Sequence, residues 1–490
     1  MTIQFMRYPE SNRVPGVYVE VDASKANTGQ INQRSLLVGQ VLAGSTLQPG
    51  IPVLCQGAAW TRGQAGAGSM LALMAEQYRN RDTFGELWLL PLLDDPAAVA
   101  AQGGFEFTGA ATAAGTLSGW IGGQRVQAYV GAGATPAAMA AAFVGACSQV
   151  VDLPVTASVN AGKAVLSAKN KGAAGNDIDL RMNYLGARGG EATPGGVTVV
   201  VTAMQGGTTS PSLTLPLLNL AEQAFDYIAL PYTDTASLDA MRSLMSDDSG
   251  RWAWSRMIYG HVFAALRGSI GALTTFGVGR NDQHLSVMGF ADSPTPAWLW
   301  AADLTAACAA SLRVDPALPV QTLLLNVLPP PVQSRFVLSD RNTLLYDGIA
   351  TFTVGGGGQV QVERVVTTYQ TNAAGAPDNS YLDVETLATL TYVLRDLRTY
   401  LSTQYARKKI VSDATRVTGN NVVSPAIIRA SVISRYRLLE SLALVQNGDA
   451  FAAAVQVEPA GGGLVKILWP GDLAGQLRQL AILAQFTKST

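Results

Sequence analysis

The sequence is poor in charged side chains. Only 14% of its 490 residues are Asp, Glu, Lys or Arg, and 34 basic against 35 acidic residues leave a net charge of −1. Soluble domains usually carry about 25% charged residues. Nucleic-acid binding requires clustered Lys and Arg, so we expect no nucleic-acid partner. A weakly charged surface repels neighbouring copies little, which favours a protein that packs against other chains.

Long apolar runs and cysteines are also scarce. The most apolar long window, residues 297–312, contains Asp303. It is shorter than the about 20 residues of a membrane-spanning helix, so we expect a buried helix and no membrane insertion. Cys55, Cys147 and Cys308 lie far apart in the chain. Their spacing predicts neither a disulfide framework nor a zinc site.

The sequence has no recognisable catalytic motif. Its two histidines, His261 and His284, lie outside any triad-like pattern, and no GxSxG nucleophile elbow is present. The glycine-rich stretches lack the spacing of a phosphate-binding loop. We therefore predict no catalytic residue, no metal and no cofactor, and thus no enzyme. An α/β hydrolytic enzyme with a degenerate site is the alternative from another class.

Apolar patterning predicts an α/β core built from two separate stretches of the chain. Residues 35–41 and 86–93 are typical of buried strands, and residues 68–81 have helical spacing between them. Similar units return from about residue 216 onward. The intervening segment, residues 97–215, is rich in Gly, Ala and Thr with short alternating runs, which predicts an inserted, mostly β domain with one helix.

The last third predicts an α+β domain. Residues 347–354 and 359–368 alternate around four glycines, which indicates a hairpin, and a helix with regularly spaced leucines follows from Leu382. Residues 452–457 and 464–468 predict a second hairpin. The predicted domains are an N-terminal arm (1–22), a first core segment (23–96), the inserted outer domain (97–215), a second core segment (216–331), the C-terminal domain (332–472) and a C-terminal arm (473–490).

Each end of the chain carries a candidate strand without a hairpin partner. Near the amino terminus this strand is formed by Val17, Tyr18, Val19, Glu20 and Val21, and near the carboxyl terminus its alternating residues are Leu480, Ile482, Ala484 and Phe486. Unpaired strands complete their hydrogen bonds by joining the edge of another sheet. From these residues alone, pairing with another copy and pairing within the chain both stay open.

A basic group follows the leucine pattern. Its members are Arg395, Arg398, Arg407, Lys408 and Lys409. This group is a candidate contact for an acidic partner. For Arg407, Lys408 and Lys409 the alternative is a solvated helix end, where cations complement the helix dipole.

Several sequence blocks resemble contractile phage tail sheath proteins of the Mu-like type. The most specific block runs from Asp347-Gly348-Ile349 through residues 361–372 to residue 386. Further matches are Pro15-Gly16-Val17-Tyr18-Val19-Glu20, residues 169–176, and Trp469-Pro470-Gly471-Asp472-Leu473 with the final Gln485-Phe486. Together they are spread over nearly the whole chain.

The resemblance implies a subunit of stacked hexameric rings around a tail tube, in the tail of a virion that is assembled in the host cytoplasm. It implies partners in other copies, the tube, the baseplate and the tail terminator. The two arms would join a neighbour's C-terminal sheet, within residues 349–368 and 452–468, and the basic group would face the tube. Baseplate triggering would contract the sheath and drive the tube through the host envelope. The sheath of a bacteriocin or of a secretion-type injection machine is the alternative.

Overall fold

The computed structural model describes residues 33–415, 419 and 421–487. Its strands are β1 (Arg34–Gln40), β2 (Val53–Leu54), β3 (Glu86–Leu92), β4 (Gln102–Thr108), β5 (Gly115–Ile121), β6 (Gln124–Val130), β7 (Val155–Asn160), β8 (Lys163–Ala168), β9 (Leu180–Met182), β10 (Thr198–Gln205), β11 (Tyr227–Ala229), β12 (His261–Arg267), β13 (Leu285–Phe290), β14 (Leu324–Leu325), β15 (Thr351–Val354), β16 (Val360–Arg364), β17 (Lys409–Ile410), β18 (Val422–Val423), β19 (Val445–Gln446), β20 (Gln456–Gly461), β21 (Leu464–Leu468) and β22 (Asp472–Leu473).

The helices of the described residues are α1 (Ala58–Ala65), α2 (Met70–Arg79), α3 (Pro136–Gln149), α4 (Thr214–Leu218), α5 (Thr235–Met245), α6 (Ile270–Val278), α7 (Ala297–Leu312), α8 (Leu338–Tyr346), α9 (Val384–Tyr405), α10 (Pro425–Ser441) and α11 (Gly448–Ala454). Short 3-10 helices cover Ala173–Asp177, Ala187–Gly189 and Val332–Ser334. The chain is thus a mixed α/β protein. No helix in the described ranges is both long and apolar enough to cross a membrane.

A six-stranded sheet forms the core, in the order β13-β12-β11-β1-β3-β2. Its strands are parallel except β2, which runs antiparallel to β3. Helix α2 begins where the Ser69 side chain accepts a hydrogen bond from the Ala72 amide, and it packs against α7. A Cβ on Gly39 of β1 would lie 3.2 Å from the Leu71 Cα, so glycine permits the close approach of α2. The predicted strand-helix-strand unit is confirmed.

Residues 97–215 form two further sheets, β10-β4-β8-β7 and β6-β5-β9. Their core is separate from that of the central sheet, and Phe143 of α3 packs edge-on against Phe105, with a ring-centroid distance of 5.1 Å. Asn170 links this region to the central sheet, because its side chain accepts from the Met70 amide at 2.8 Å and donates to the Val41 carbonyl at 3.0 Å. The domain boundaries given above stay predictions.

The last third surrounds the long helix α9. A three-stranded sheet, β14-β16-β15, precedes this helix, and α10, α11 and the β20–β21 hairpin follow it. The first hairpin prediction is confirmed, although its first strand begins only at Thr351. For the second hairpin, the prediction of strand from residue 452 is wrong, since α11 extends to Ala454. Alanine favours helix, and Phe451 of α11 stacks on Tyr436 at 3.7 Å.

Candidate assembly surfaces

The β20–β21 hairpin is a sheet with two free edges. The two strands pair only with each other, and no other strand of the described residues joins either outer edge. Val457, Val465 and Ile467 pack one face of the hairpin against the C-terminal core. Leu464 and Leu468 point away from it and are exposed. Neither outer edge is paired with another described strand, and an unpaired edge is a place where a strand of another chain can add.

The three-stranded sheet β14-β16-β15 is more enclosed than the hairpin. Its central strand β16 has a neighbour on each side, β14 and β15. Residue Ala350, next to β15, forms a bridge with Met288 of the central sheet. The β14–β16–β15 sheet therefore offers less free edge than the β20–β21 hairpin.

Arg478 fixes the point at which the carboxyl-terminal segment leaves the body. Its Nη2 lies 2.8 Å from Oε2 of the fully buried Glu385 and 3.1 Å from Oδ1 of Asp383. Asp383 is also paired with Arg364 at 2.8 Å, and Oε1 of Glu385 accepts a hydrogen bond from the Val320 amide at 2.8 Å. Sequence reasoning missed this cluster, because Arg478 and Glu385 are 93 positions apart.

Every residue from 479 to 487 is exposed, and none belongs to a helix or strand. The segment is apolar nonetheless, with Ile482 87% and Phe486 91% exposed. Leu480 is exposed as well, and Ala484 lies between the larger side chains. These four residues are the predicted C-terminal arm. Within the isolated chain this segment forms no strand, so its pairing with a neighbour stays a prediction.

The predicted N-terminal arm, Val17 to Val21, lies outside the described residues. The described chain begins at Gln33, at the amino-terminal edge of the central sheet. There the Arg34 amide donates to Oδ2 of Asp226 at 3.0 Å.

The structure divides the predicted basic group. Arg398 is exposed within α9, and Arg407, Lys408 and Lys409 are exposed beyond its end. Arg395 is buried: its Nη1 pairs with the Asp226 carboxylate, and its Nη2 donates to the Ile258 carbonyl at 2.6 Å. A guanidinium held inside the chain cannot face a partner in this conformation, so Arg395 leaves the candidate contact group.

The histidines do not form a hydrolase site. His261 Nε2 lies 2.9 Å from Ser286 Oγ, but both residues are buried and His261 Nδ1 has no hydrogen-bond partner among the described residues. Burial lowers the pKa of His261 to about 3. His284 lies against Asp247 and stacks on Trp252 at 4.6 Å. A triad needs an acid on the histidine and an accessible nucleophile, and neither histidine has both.

The described ranges also contain no group of three or more His, Cys, Asp or Glu side chains placed to hold a metal ion.

Comparison with known proteins identifies the family. Residues 206–368 match the profile of the phage tail sheath protein central domain. A Mu-like prophage tail sheath protein of Haemophilus influenzae is 37% identical over 491 aligned positions, which cover 99% of this chain and 100% of the relative. The chain therefore belongs to the phage tail sheath family, as the sequence resemblance predicted.

Solved structures of sheath proteins resemble the chain at low identity. A sheath tail protein of Listeria innocua has a TM-score of 0.48 and 13% identity over 90% of this chain and 92% of that one. A sheath tail protein of Desulfitobacterium hafniense has a TM-score of 0.46 and 13% identity over 90% and 93%. The helical sheath of the anti-feeding prophage in its contracted state has a TM-score of 0.46 and 11% identity over 98% and 100%.

Proposed function

We propose that this chain polymerises by strand exchange as stacked hexameric rings around a tail tube and contracts to drive the tube through a host envelope. The observation that carries the proposal is that one chain contains both a hairpin with open edges and an exposed apolar segment. The β20–β21 hairpin has two free edges, and residues 479–487 present an exposed apolar segment. Each copy can thus donate strands and receive them.

One arm by itself binds weakly. About five added backbone hydrogen bonds and three large buried side chains contribute about 7–16 kcal/mol. Ordering seven backbone residues costs about 7–14 kcal/mol. The two ranges nearly cancel, so a single exchange stabilises the assembly little by itself, and a lattice in which every copy makes several exchanges gains through avidity. Such weak repeated joints permit subunits to rearrange while remaining connected.

The remaining roles follow from this assembly. The exposed basic residues Arg398, Arg407, Lys408 and Lys409 are the proposed contacts to the tube. Baseplate and tail terminator proteins are the proposed partners at the two ends of the polymer. The same subunit role applies in a bacteriocin or a secretion-type injection machine, and capsid genes beside the coding sequence would indicate a phage.

Strand exchange is tested by removing each arm. Chains that lack residues 1–22 or residues 479–490 are expected to stay folded; residues 479–487 are exposed and belong to no helix or strand. Both are expected to lose tubes that the full chain forms, as seen by electron microscopy and sedimentation. Persistent tubes from either truncated chain would count against the role of that arm.

Two matched triple variants of the full-length chain test whether the C-terminal arm pairs as a strand. Leu480→Asp, Ile482→Asp and Phe486→Asp together place three charges on the predicted apolar face. Gln479→Asp, Gln485→Asp and Thr487→Asp place three charges on the opposite face of the same segment. Loss of tubes is expected for the first set and a smaller effect for the second, since alternate residues of a strand face opposite sides. Equal effects of the two sets would contradict pairing as a strand.

A further inference from the structure

Two aromatic side chains are exposed near the end of the central sheet at which its parallel strands begin. Phe84, in the loop between α2 and β3, is 97% exposed, and Trp254, in the loop between α5 and β12, is 83% exposed. Strands β3 and β12 belong to the same parallel set. Both loops therefore lead into the sheet at its amino-terminal edge, and the two rings share one side of the molecule.

A network around the buried Asp82 holds the Phe84 loop. Its carboxylate accepts from the Gly85 amide at 3.0 Å, from the Tyr78 hydroxyl at 2.8 Å and from Arg313 Nη2 at 2.8 Å. A Cβ on Gly85 would collide with the Asp82–Arg313 pair, so the turn is closed tightly over it. The Phe84 ring is thus presented on a loop of fixed shape.

The Trp254 loop is closed in a comparable way. The Ile258 amide donates to the Arg251 carbonyl at 2.9 Å, and the Arg251 side chain is fully buried. Next to it, Trp252 Nε1 donates to the Gly260 carbonyl at 2.9 Å. Trp254 lies between these points, so its loop is held in shape while its ring stays exposed.

The position of the chain entry indicates what lies beside this edge. Gln33 precedes β1, which lies between β3 and β11. The ten residues 23–32 between the predicted arm and Gln33 can span at most about 35 Å, at about 3.3–3.6 Å per residue. If the N-terminal arm joins another copy, as the proposed function requires, that copy lies close to the amino-terminal edge of this sheet.

We infer that Phe84 and Trp254 are docking anchors for a second copy of this chain, the copy that receives the N-terminal arm. The inference rests on the proposed function. Large aromatic side chains dominate the energetics of many interfaces when apolar pockets bury them. Loops already held in the bound shape lose little conformational entropy on binding. The net charge of −1 gives little repulsion between copies.

Single substitutions in the full-length chain test the anchors. Phe84→Ala and Trp254→Ala are each expected to raise the critical concentration for tube formation about tenfold or more, measured by light scattering and sedimentation. Both are expected to leave the thermal unfolding midpoint of the unassembled protein unchanged, because the rings are exposed there. Tyr129→Ala, which removes a 72% exposed ring from β6, is the matched control and is expected to have less than about a twofold effect.

Photo-crosslinking identifies what covers the ring. With benzoylphenylalanine in place of Phe84, mixed isotope-labelled and unlabelled copies are expected to yield cross-links between copies in assembled tubes. Cross-links within one chain only would contradict the role of Phe84 and Trp254 as anchors. The same holds if Phe84→Ala and Trp254→Ala form tubes at the wild-type critical concentration. Neither result would contradict strand exchange. A wild-type chain that forms no tubes would overturn the proposed function and the anchors together.

Discussion

The central sheet and the β20–β21 hairpin complete their hydrogen bonds in different ways. In the central sheet, β12, β11, β1 and β3 each have a strand on both sides. In the hairpin, each strand has one neighbour, and Leu464 and Leu468 face solvent. The comparison teaches that buried residues of both regions stabilise the fold, whereas open strand edges and exposed side chains remain available for contacts with other chains. Substitutions should therefore affect one property and spare the other.

The largest effect is expected when the buried ion pair between Arg395 and Asp226 is removed. Arg395→Ala removes the partner of the buried Asp226 carboxylate. Loss of one member of a buried ion pair costs about 3–5 kcal/mol, so the free energy of unfolding measured in urea is expected to fall by that amount.

Arg398→Ala is the matched control, because Arg398 is exposed one turn further along α9. Its effect on stability is expected to stay within about 0.5 kcal/mol. Similar losses for Arg395→Ala and Arg398→Ala would contradict the assignment of a stabilising role to the buried Arg395 and not to the exposed Arg398.

A smaller effect is expected from Asp303, which is buried in α7 beside Arg81, with 3.8 Å between Oδ1 and Nε. Burial raises the pKa of Asp303 to about 6. The folded protein therefore keeps a proton that the unfolded chain releases above about pH 4. The free energy that this retained proton contributes to folding is fully present below about pH 4 and is lost as the pH rises through 6.

Asp303→Asn removes that titration. Relative to the wild type, the variant is expected to gain about 1–3 kcal/mol of unfolding free energy between pH 4 and pH 7. Urea unfolding at several pH values measures the difference. A difference between the two proteins that stays constant with pH, or changes in the opposite direction, would contradict the raised pKa.

The smallest effect on stability is expected at the exposed basic group. Reversing Arg407, Lys408 and Lys409 to Glu should change the unfolding free energy little, since surface positions rarely contribute more than about 0.5 kcal/mol each. The same change should weaken assembly on purified tail tubes, in cosedimentation that is sensitive to salt. Reversal of the exposed Lys163 and Arg188 in the inserted region is the control. Unchanged assembly on tubes would count against the proposed tube contact.

Regular elements were predictable where apolar periodicity runs long. The window 297–312 coincides with α7, and the pattern after Leu382 is helical from Val384. The pattern did not show which side of α9 is covered. Val393 and Arg395 are buried, whereas several of the leucines are only half-buried. The covered side of a helix depends on what packs there, and no single helix contains that information.

Contacts between distant parts of the chain were not predictable. The partner of Arg395 is 169 positions away, and that of Arg478 is 93 positions away. A sequence shows that an arginine needs an acidic partner, but it does not show which distant residue is that partner. Phe84 is an ordinary aromatic residue in the sequence, and only the folded loop around Asp82 leaves it almost fully exposed.

Local chemistry determined the class of this protein. Short stretches of sequence are enough to recognise the scarcity of charge, the strand and helix periods, and the blocks that resemble the family. Tertiary structure alone decided which hairpin edges stay open, which arginines are buried and where the carboxyl-terminal segment leaves the body. Such properties arise when distant segments compete for the same surface, and that competition is settled only when the whole chain has folded.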